Sequence, residues 1–343
     1  MKKSQLLHHQ VSDPSPQRGI LRPEGDTHIS QALARTPYTG TCGSIQTILV
    51  PLDGSLHAEH ALPHALAVAR RVGATLRLAY AHSSLDHIDP WDVQLGYDAS
   101  EQFKREKLDY LRSVADRIAS NDLLSVETML IDGTDVEESL ITSVVGVDLV
   151  VIASRRKGLL RRLFSRSLAD GLRRHLRTPA LFVHGHSLPV DLTGDPIARH
   201  ILVPLNGSVL AERILSPVTE LGRLETTTTT LLNVQHSEWN LGVFEHTTPP
   251  GYLLGIAQTL KAKLPFVEAQ VLTTERSIPA AISTYAMERR VDLIALATRS
   301  GGWLQEFLRH GVADSLIRNS SVPILLLNVD QNGKRPEITT VVD

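Results

Sequence analysis

The eight residues ILVPLDGS at 48–55 return as ILVPLNGS at 201–208, with seven of the eight letters unchanged. A repeat of that length 153 residues away commits the chain to building one structural unit twice. Two later pairs support this: DLVVIA at 148 with DLIALA at 292, and PALFV at 179 with PILLL at 323. Both are spaced by 144, so the first copy carries nine extra residues in its middle. The chain of 343 residues suits two units of about 150 residues, each long enough for its own core.

Each copy opens on a nearly continuous apolar run, QTILVPL in the first, as in a strand buried on both faces of a parallel sheet. Apolar residues near helical spacing follow over 56–72, with Ser55 placed as an N-cap and Pro63 as the site of a kink. Further strands are predicted at 74–81, 124–131, 148–154 and 178–185, alternating with helices near 99–120, 135–145 and 165–176. Alternation of this kind means an α/β unit wound around a parallel sheet. The units are placed at 45–186 and 199–330, joined by a linker at 187–198. Residues 1–44 mix Pro, Gly, Ser, Thr, Gln and His without apolar periodicity, which predicts a disordered tail, and 331–343 form a second tail.

Composition narrows the function classes. Hydrophobic residues at 42%, charged residues at 21% and a mean hydropathy of -0.04 exclude fibrous and membrane chains. Lys and Arg total 35 against 37 Asp and Glu, so no global basic field exists to hold nucleic acid, and any basic patch is local. A single cysteine, Cys42, removes an internal disulfide and an all-cysteine metal site. The N-terminus starts basic but develops no apolar signal region, so the expectation is a cytoplasmic protein with no membrane segment.

The opening ILVPLDGS, the alanine-rich HAEHALPHALAVARRVGA, the strand DLVVIAS running into a basic loop, and the closing TPALFV resemble the universal stress protein family in tandem form. The resemblance covers roughly 46–185 and 199–329. It implies two open five-stranded parallel sheets in the order 3-2-1-4-5, with helices on both faces, in the adenine-nucleotide alpha-hydrolase-like class. In that order strands 1 and 4 are neighbours whose connections leave to opposite faces, so the ligand crevice lies beyond their carboxyl ends. In nucleotide-binding members an acid after strand 1 meets the nucleoside and a G-x2-G-x9-G-[S/T] loop after strand 4 cradles the phosphates. Glycine permits close backbone approach, and main-chain N–H groups with a helix N-terminus meet the negative charge. The resemblance further implies pairing through the last strand, which a tandem chain satisfies by joining its halves into an intramolecular pseudo-dimer, open to further homodimerisation.

Carried onto this chain, the motif positions fall on Ala153, Arg156, Arg166 and Ser167 in the first copy, with Gly158 out of register. In the second they fall on Ala297, Ser300, His310 and Gly311. No glycine stands where the pattern wants one. Asp53 is the acid after strand 1, following Pro51, whereas the second copy has Pro204 and the neutral Asn206. From 155 to 177 nine Arg or Lys face the single acid Asp170, while 299–321 has three Arg against Glu306 and Asp314. Arginine at a lost glycine position either fills the phosphate site or replaces main-chain donors with its guanidinium fork. The expectation is a stress-response regulator that acts by interaction with a regulatory protein partner and senses an adenine nucleotide in the first copy, with Asp53 on the ribose, Ser167 on the phosphate and Arg156 and Arg166 supplying charge; Pro204, Asn206, Ala297, Ser300, His310 and Gly311 mark a weaker second site in a copy that is otherwise structural. ATP or AMP is the candidate ligand, and no cofactor is assigned beyond it.

Other features point elsewhere or nowhere. His57, His60 and His64 sit at helical spacing for one face, but no carboxylate or cysteine completes a metal site, and they read as surface histidines. A Trp flanked by acids and histidines follows the second strand in both copies, Trp91 and Trp239, and reads as a plug on each core or a lid. No G-x-S-x-G, H-E-x-x-H or GxxxxGK[ST] occurs, so the chain is not expected to be an enzyme beyond weak ATP hydrolysis. The alternatives are a ligand-free scaffold that binds an acidic protein partner through 155–177, and a weak ATPase. Nucleic acid is disfavoured because that basic run holds one aromatic, Phe164.

Overall fold

The computed structural model describes residues 18–19, 45–83, 98–133, 144, 146–154, 178–186, 188–196, 198–223, 227–237, 251–300 and 312–330. In the first half, β2 (Thr47–Leu52), β3 (Thr75–Ser83), β4 (Val126–Gly133), β5 (Leu149–Ser154) and β6 (Ala180–His184) form a parallel sheet. The second half repeats it with β7 (His200–Pro204), β8 (Thr228–His236), β9 (Phe266–Thr274), β10 (Leu293–Ser300) and β11 (Ile324–Asp330). The strand order is β9-β8-β7-β10-β11-β6-β5-β2-β3-β4, so each half reads 3-2-1-4-5.

The halves join edge to edge. Strand β11 pairs antiparallel with β6 through Ile324↔Phe182, Leu325↔Leu181 and Leu326↔Ala180, making one continuous sheet. The registered pairs are symmetric about Leu181 and Leu325, the same position of the two copies, so a pseudo-twofold axis passes between these leucines. The last strands therefore satisfy each other's backbone groups within the chain. A two-residue strand, β1 (Arg18–Gly19), lies within the stretch expected to be a tail and pairs antiparallel with the outer edge of β9 at Leu272 and Val271.

Alternation along the strands divides the core into two faces. Ile48, Val50 and Leu52 face one side and Leu49 the other; Val151 and Ala153 likewise oppose Val150 and Ile152. The first face is covered by α1 (Leu56–Glu59), α2 (Ala61–Val72) and α3 (Asp98–Ala119), and in the second half by α4 (Val209–Glu212), α5 (Leu215–Leu221) and α6 (Tyr252–Lys261). The opposite face carries α7 (Ile278–Glu288) and α8 (Val312–Asn319). The helix expected over 56–72 is broken at His60, upstream of the expected kink. Pro63 has no amide to give the Glu59 carbonyl, so the turn opens there. Pro217 does the same to Arg213 in the second half, where α4 and α5 are separate. The helix expected at 165–176 and most of that at 135–145 lie outside the described residues.

The repeated aspartates of DLVVIA and DLIALA turn out to be structural pins. Asp148 Oδ2 accepts the amides of Gln46 and Thr47 at 2.9 and 3.0 Å, and Asp292 Oδ2 accepts those of Arg199 and His200 at 3.0 Å each. Each fixes the start of the first strand of its half against the fourth.

The chain from β6 to β7 is fastened rather than loose. Arg70 pairs bidentately with Asp122 at 2.8 and 2.7 Å and reaches the carbonyls of Leu192 and Gly194. Arg71 pairs bidentately with Asp195 at 2.7 and 2.6 Å, and the His60 ring bonds the Leu188 carbonyl. The His184 ring contacts the Ser320 carbonyl across the halves.

Candidate functional site

The crevice in each half is opened by a proline. The carbonyl of Thr47 accepts from Asp148, so residues 47, 49 and 51 turn their backbone groups toward β5, and even-numbered neighbours turn theirs toward β3. The next donor in the β2–β5 ladder would be the amide of residue 51, which is proline. The ladder accordingly runs through Ile48↔Leu149 and Leu49↔Val150 and stops, while β2 follows β3 all the way from Thr47↔Thr75 to Leu52↔Tyr80. In the second half His200, Leu202 and Pro204 have the same orientation, and the β7–β10 ladder stops at Leu202↔Ile294. The repeated Val-Pro dipeptide thus frees the carboxyl ends of strands 1 and 4 from each other.

Asp53 stands at the lip of the first crevice. Its Oδ1 accepts from the Ser55 amide at 3.0 Å and the Ser55 hydroxyl at 2.6 Å, and Ser55 Oγ accepts the Ala58 amide at 3.2 Å as N-cap of α1. Gly54 between them sits at φ 80°, a left-handed conformation that costs other residues about 1 kcal/mol or more. Asn206, Gly207 (φ 81°) and Ser208 reproduce the turn: Asn206 Oδ1 accepts from the Ser208 amide at 3.2 Å and its hydroxyl at 2.7 Å. The two turns differ in charge and in burial. Asp53 is half-buried, whereas Asn206 is exposed.

The first site also has an aromatic floor. Tyr80 donates its hydroxyl to the Asp53 carbonyl at 3.1 Å, packs edge-on against Tyr110 with ring centres 6.1 Å apart, and lies 5.3 Å from the Lys107 ammonium. Burial, and then the Asp53 charge, push the Tyr80 hydroxyl above the ordinary phenol range, so it stays a donor at neutral pH. At the matching position of the second half Asn233 donates to the Leu205 carbonyl at 2.8 Å and receives a bond from Gln235, giving a polar floor with no ring.

Behind the turn, Glu59 is buried and accepts from the Tyr110 hydroxyl at 3.1 Å and from Arg117 at 2.9 Å. Glu212 repeats this with the Tyr252 hydroxyl at 2.8 Å. Burial first and the adjacent glutamate second hold both tyrosines protonated. The pairs lock the helix after strand 1 to the helix after strand 2, and Ala-Glu at 58–59 and 211–212 was their only visible trace in the sequence. Replacing Glu59 by alanine strands the Tyr110 hydroxyl and is expected to cost about 2 kcal/mol. Glu212→Ala costs less, because Glu212 is only half-buried. Urea denaturation of both variants checks the ranking, and a larger loss for Glu212→Ala would contradict it.

Of the remaining expected site residues, Ala153 is buried at the end of β5 and Ala297 half-buried on β10, with Ser300 closing β10 opposite Asp330. Arg156, Gly158, Arg166, Ser167, His310 and Gly311 lie outside the described residues, as do Trp91 and Trp239. The three histidines do not converge. His60 meets the Leu188 carbonyl and the edge of the His186 ring, 5.2 Å away, while His64 turns to a cavity between the halves. Among the described residues no group of three His, Cys, Asp or Glu is placed to hold a metal, and no helix is long and apolar enough to cross a membrane.

The sequence model of the universal stress protein family matches residues 44–184 and again 198–328. The chain belongs to the universal stress protein family. A protein named as a universal stress protein in Staphylococcus haemolyticus (strain JCSC1435) is 28% identical over 150 residues, covering 43% of this chain and 88% of that one. The crystal structure of a universal stress protein from Archaeoglobus fulgidus DSM 4304 superposes with a TM-score of 0.61 at 15% identity, covering 84% of this chain and 98% of that one. A functionally unknown protein from Pseudomonas aeruginosa PAO1 gives a TM-score of 0.52, also at 15% identity, over 84% and 95% of the two chains. At these identities the structures establish the fold. This universal stress protein is thus a tandem one, with both copies of the fold in a single sheet.

Proposed function

We propose that this universal stress protein is a stress-response regulator that binds one adenine nucleotide, ATP or AMP, in its first half. The observation that carries the reading is the difference between two otherwise identical turns: a charged, half-buried Asp53 above a tyrosine floor, against a neutral, exposed Asn206. In Asp53 one carboxylate oxygen holds the Ser55 turn, and the other is the acceptor for a ribose hydroxyl. The α1 N-cap is engaged by Ser55, so phosphate recognition falls to the loop after β5, where Arg156, Arg166 and Ser167 supply charge and a hydroxyl. The second half then acts as structure, completing the sheet through β11.

The reading predicts that Asp53→Ala weakens ATP binding by about tenfold to a hundredfold, the loss of one or two polar contacts to a buried ribose. Asn206→Ala leaves binding unchanged. Isothermal titration of nucleotide-free protein with ATP, ADP and AMP measures both. Absence of binding at millimolar ATP would mean that the arginines have closed the site, and would favour a partner-binding scaffold instead.

A further inference from the structure

A cavity of about 290 Å³ lies where the two halves meet, on the face covered by α2 and α5. It is distinct from both crevices: its second-half wall comes from Asp292 and Leu293 at the start of β10, at the opposite end of that sheet from Asn206. The two copies share its apolar lining. Val68 of α2 and Leu221 of α5 are the same position of the repeat, 153 residues apart, and both line it together with Leu181 of the seam. An apolar cavity of about 150 Å³ suffices for one benzene ring, so the volume here suits two fused rings.

The charged side chains in the wall are already engaged. Arg71 forms two short bonds to Asp195 and one to the Ala67 carbonyl. Glu220 meets Arg223 at 3.7 Å and has a further contact besides. Asp292 is exposed and holds the amides of Arg199 and His200. An ion of either sign would lose its hydration on entering and gain little from these groups. His64 is different. Its ring lines the cavity, and among the described residues neither ring nitrogen has a hydrogen-bond partner. Burial, and then the nearby His60, lower its pKa to about 4, so at neutral pH it is an uncharged imidazole with one N–H to donate and one nitrogen to accept. Its counterpart in the repeat is Pro217, so only the first half contributes such a group.

We propose that this cavity binds a small neutral aromatic alcohol of the phenol class, its rings against Val68, Leu181 and Leu221 and its hydroxyl hydrogen-bonded to His64. A hydroxyl both donates and accepts, so it satisfies whichever ring nitrogen faces it, and a rigid ring fills the space at little cost in conformational freedom. Because helices α2 and α5 belong to different halves, such a ligand touches both and stabilises their packing by mass action. The site uses none of the residues assigned to the nucleotide, so it stands or falls separately from that reading.

The test is calorimetric titration of the full chain at neutral pH with 2-naphthol, and with 2-naphthoate and 2-naphthylmethylammonium as anionic and cationic probes of the same ring. The alcohol is expected to bind with a Kd below about 1 mM and to raise the thermal midpoint, and each ion to bind at least about fivefold more weakly. His64→Leu weakens 2-naphthol about threefold to tenfold, the loss of one neutral hydrogen bond. Asp53→Ala leaves it unchanged. Val68→Phe fills the space and abolishes binding; should that variant not fold, His64→Leu alone decides. No binding of 2-naphthol at about 3 mM, equal binding of either ion, or an unaltered affinity in His64→Leu would overturn the proposal.

Discussion

Truncating Leu325 to alanine is expected to destabilise the whole protein, both halves together, by about 2–5 kcal/mol. Leu325 has no exposed surface and sits at the centre of the β11–β6 seam, opposite Leu181. Removing its side chain takes apolar surface from the core that the two halves share, and leaves a cavity that neighbouring strands cannot close without breaking the register. Leu181→Ala removes the symmetric half of the same contact. The pair is directly apposed, so the double variant should cost less than the two single losses combined, with a coupling of about 0.5–3 kcal/mol. Denaturant unfolding gives these energies, and hydrogen exchange localises them. Loss of protection in the second half alone, with β2 to β6 unchanged, would show that the seam does not couple the copies.

The second large effect is one of pH. An unfolded imidazole takes up its proton near 6.5, whereas His64 in the folded chain resists protonation until about 4, first through burial and then through His60. As pH falls from about 6.5 to 4 the unfolded state gains a proton that the folded state excludes, so this group destabilises the fold progressively across that window and levels off below it. The full effect is about 3 kcal/mol, from the gap between the two values. Above pH 6.5 it vanishes. Arg71, Glu220 and Asp292 share the cavity with His64, so the measurement is a difference: thermal midpoints of the parent and His64→Leu from pH 7.5 to 4. The parent should lose more stability between 6.5 and 4 than the variant; parallel curves would place the His64 ring in water.

Much of this architecture was legible because the chain states its pattern twice. Repeat spacing, strand texture and the family resemblance together led to the order 3-2-1-4-5, and the expected union of the last strands appears as the β6–β11 ladder. What escaped was the identity of distant partners. Asp148 and Asp292 were visible as repeated letters, but only the fold brings their carboxylates onto amides about a hundred residues away. In the sequence Glu59 is one acidic letter of an alanine-rich stretch, and only the packing of α3 places Tyr110 and Arg117 beside it. The three histidines share a spacing but no metal site: His60 bonds the Leu188 carbonyl in the segment after β6, while His64, within reach of the His60 charge, is buried against the cavity instead of lying on the surface. Gly185 shows how tight that segment is: a Cβ there would lie 2.6 Å from the His57 carbonyl oxygen. Pro51 and Pro204 were assigned to the site through the family pattern, and the physical reason is the ladder bond each omits.

The asymmetry of the two halves is tested most directly by the nucleotide content of the purified protein. The parent, Asp53→Ala and Asn206→Ala are purified without added nucleotide and denatured, and the released material is separated by anion exchange and measured against protein concentration. The account predicts up to one adenine nucleotide per chain from the parent and from Asn206→Ala, and none from Asp53→Ala. Two nucleotides per chain, or a loss in Asn206→Ala with retention in Asp53→Ala, would contradict it.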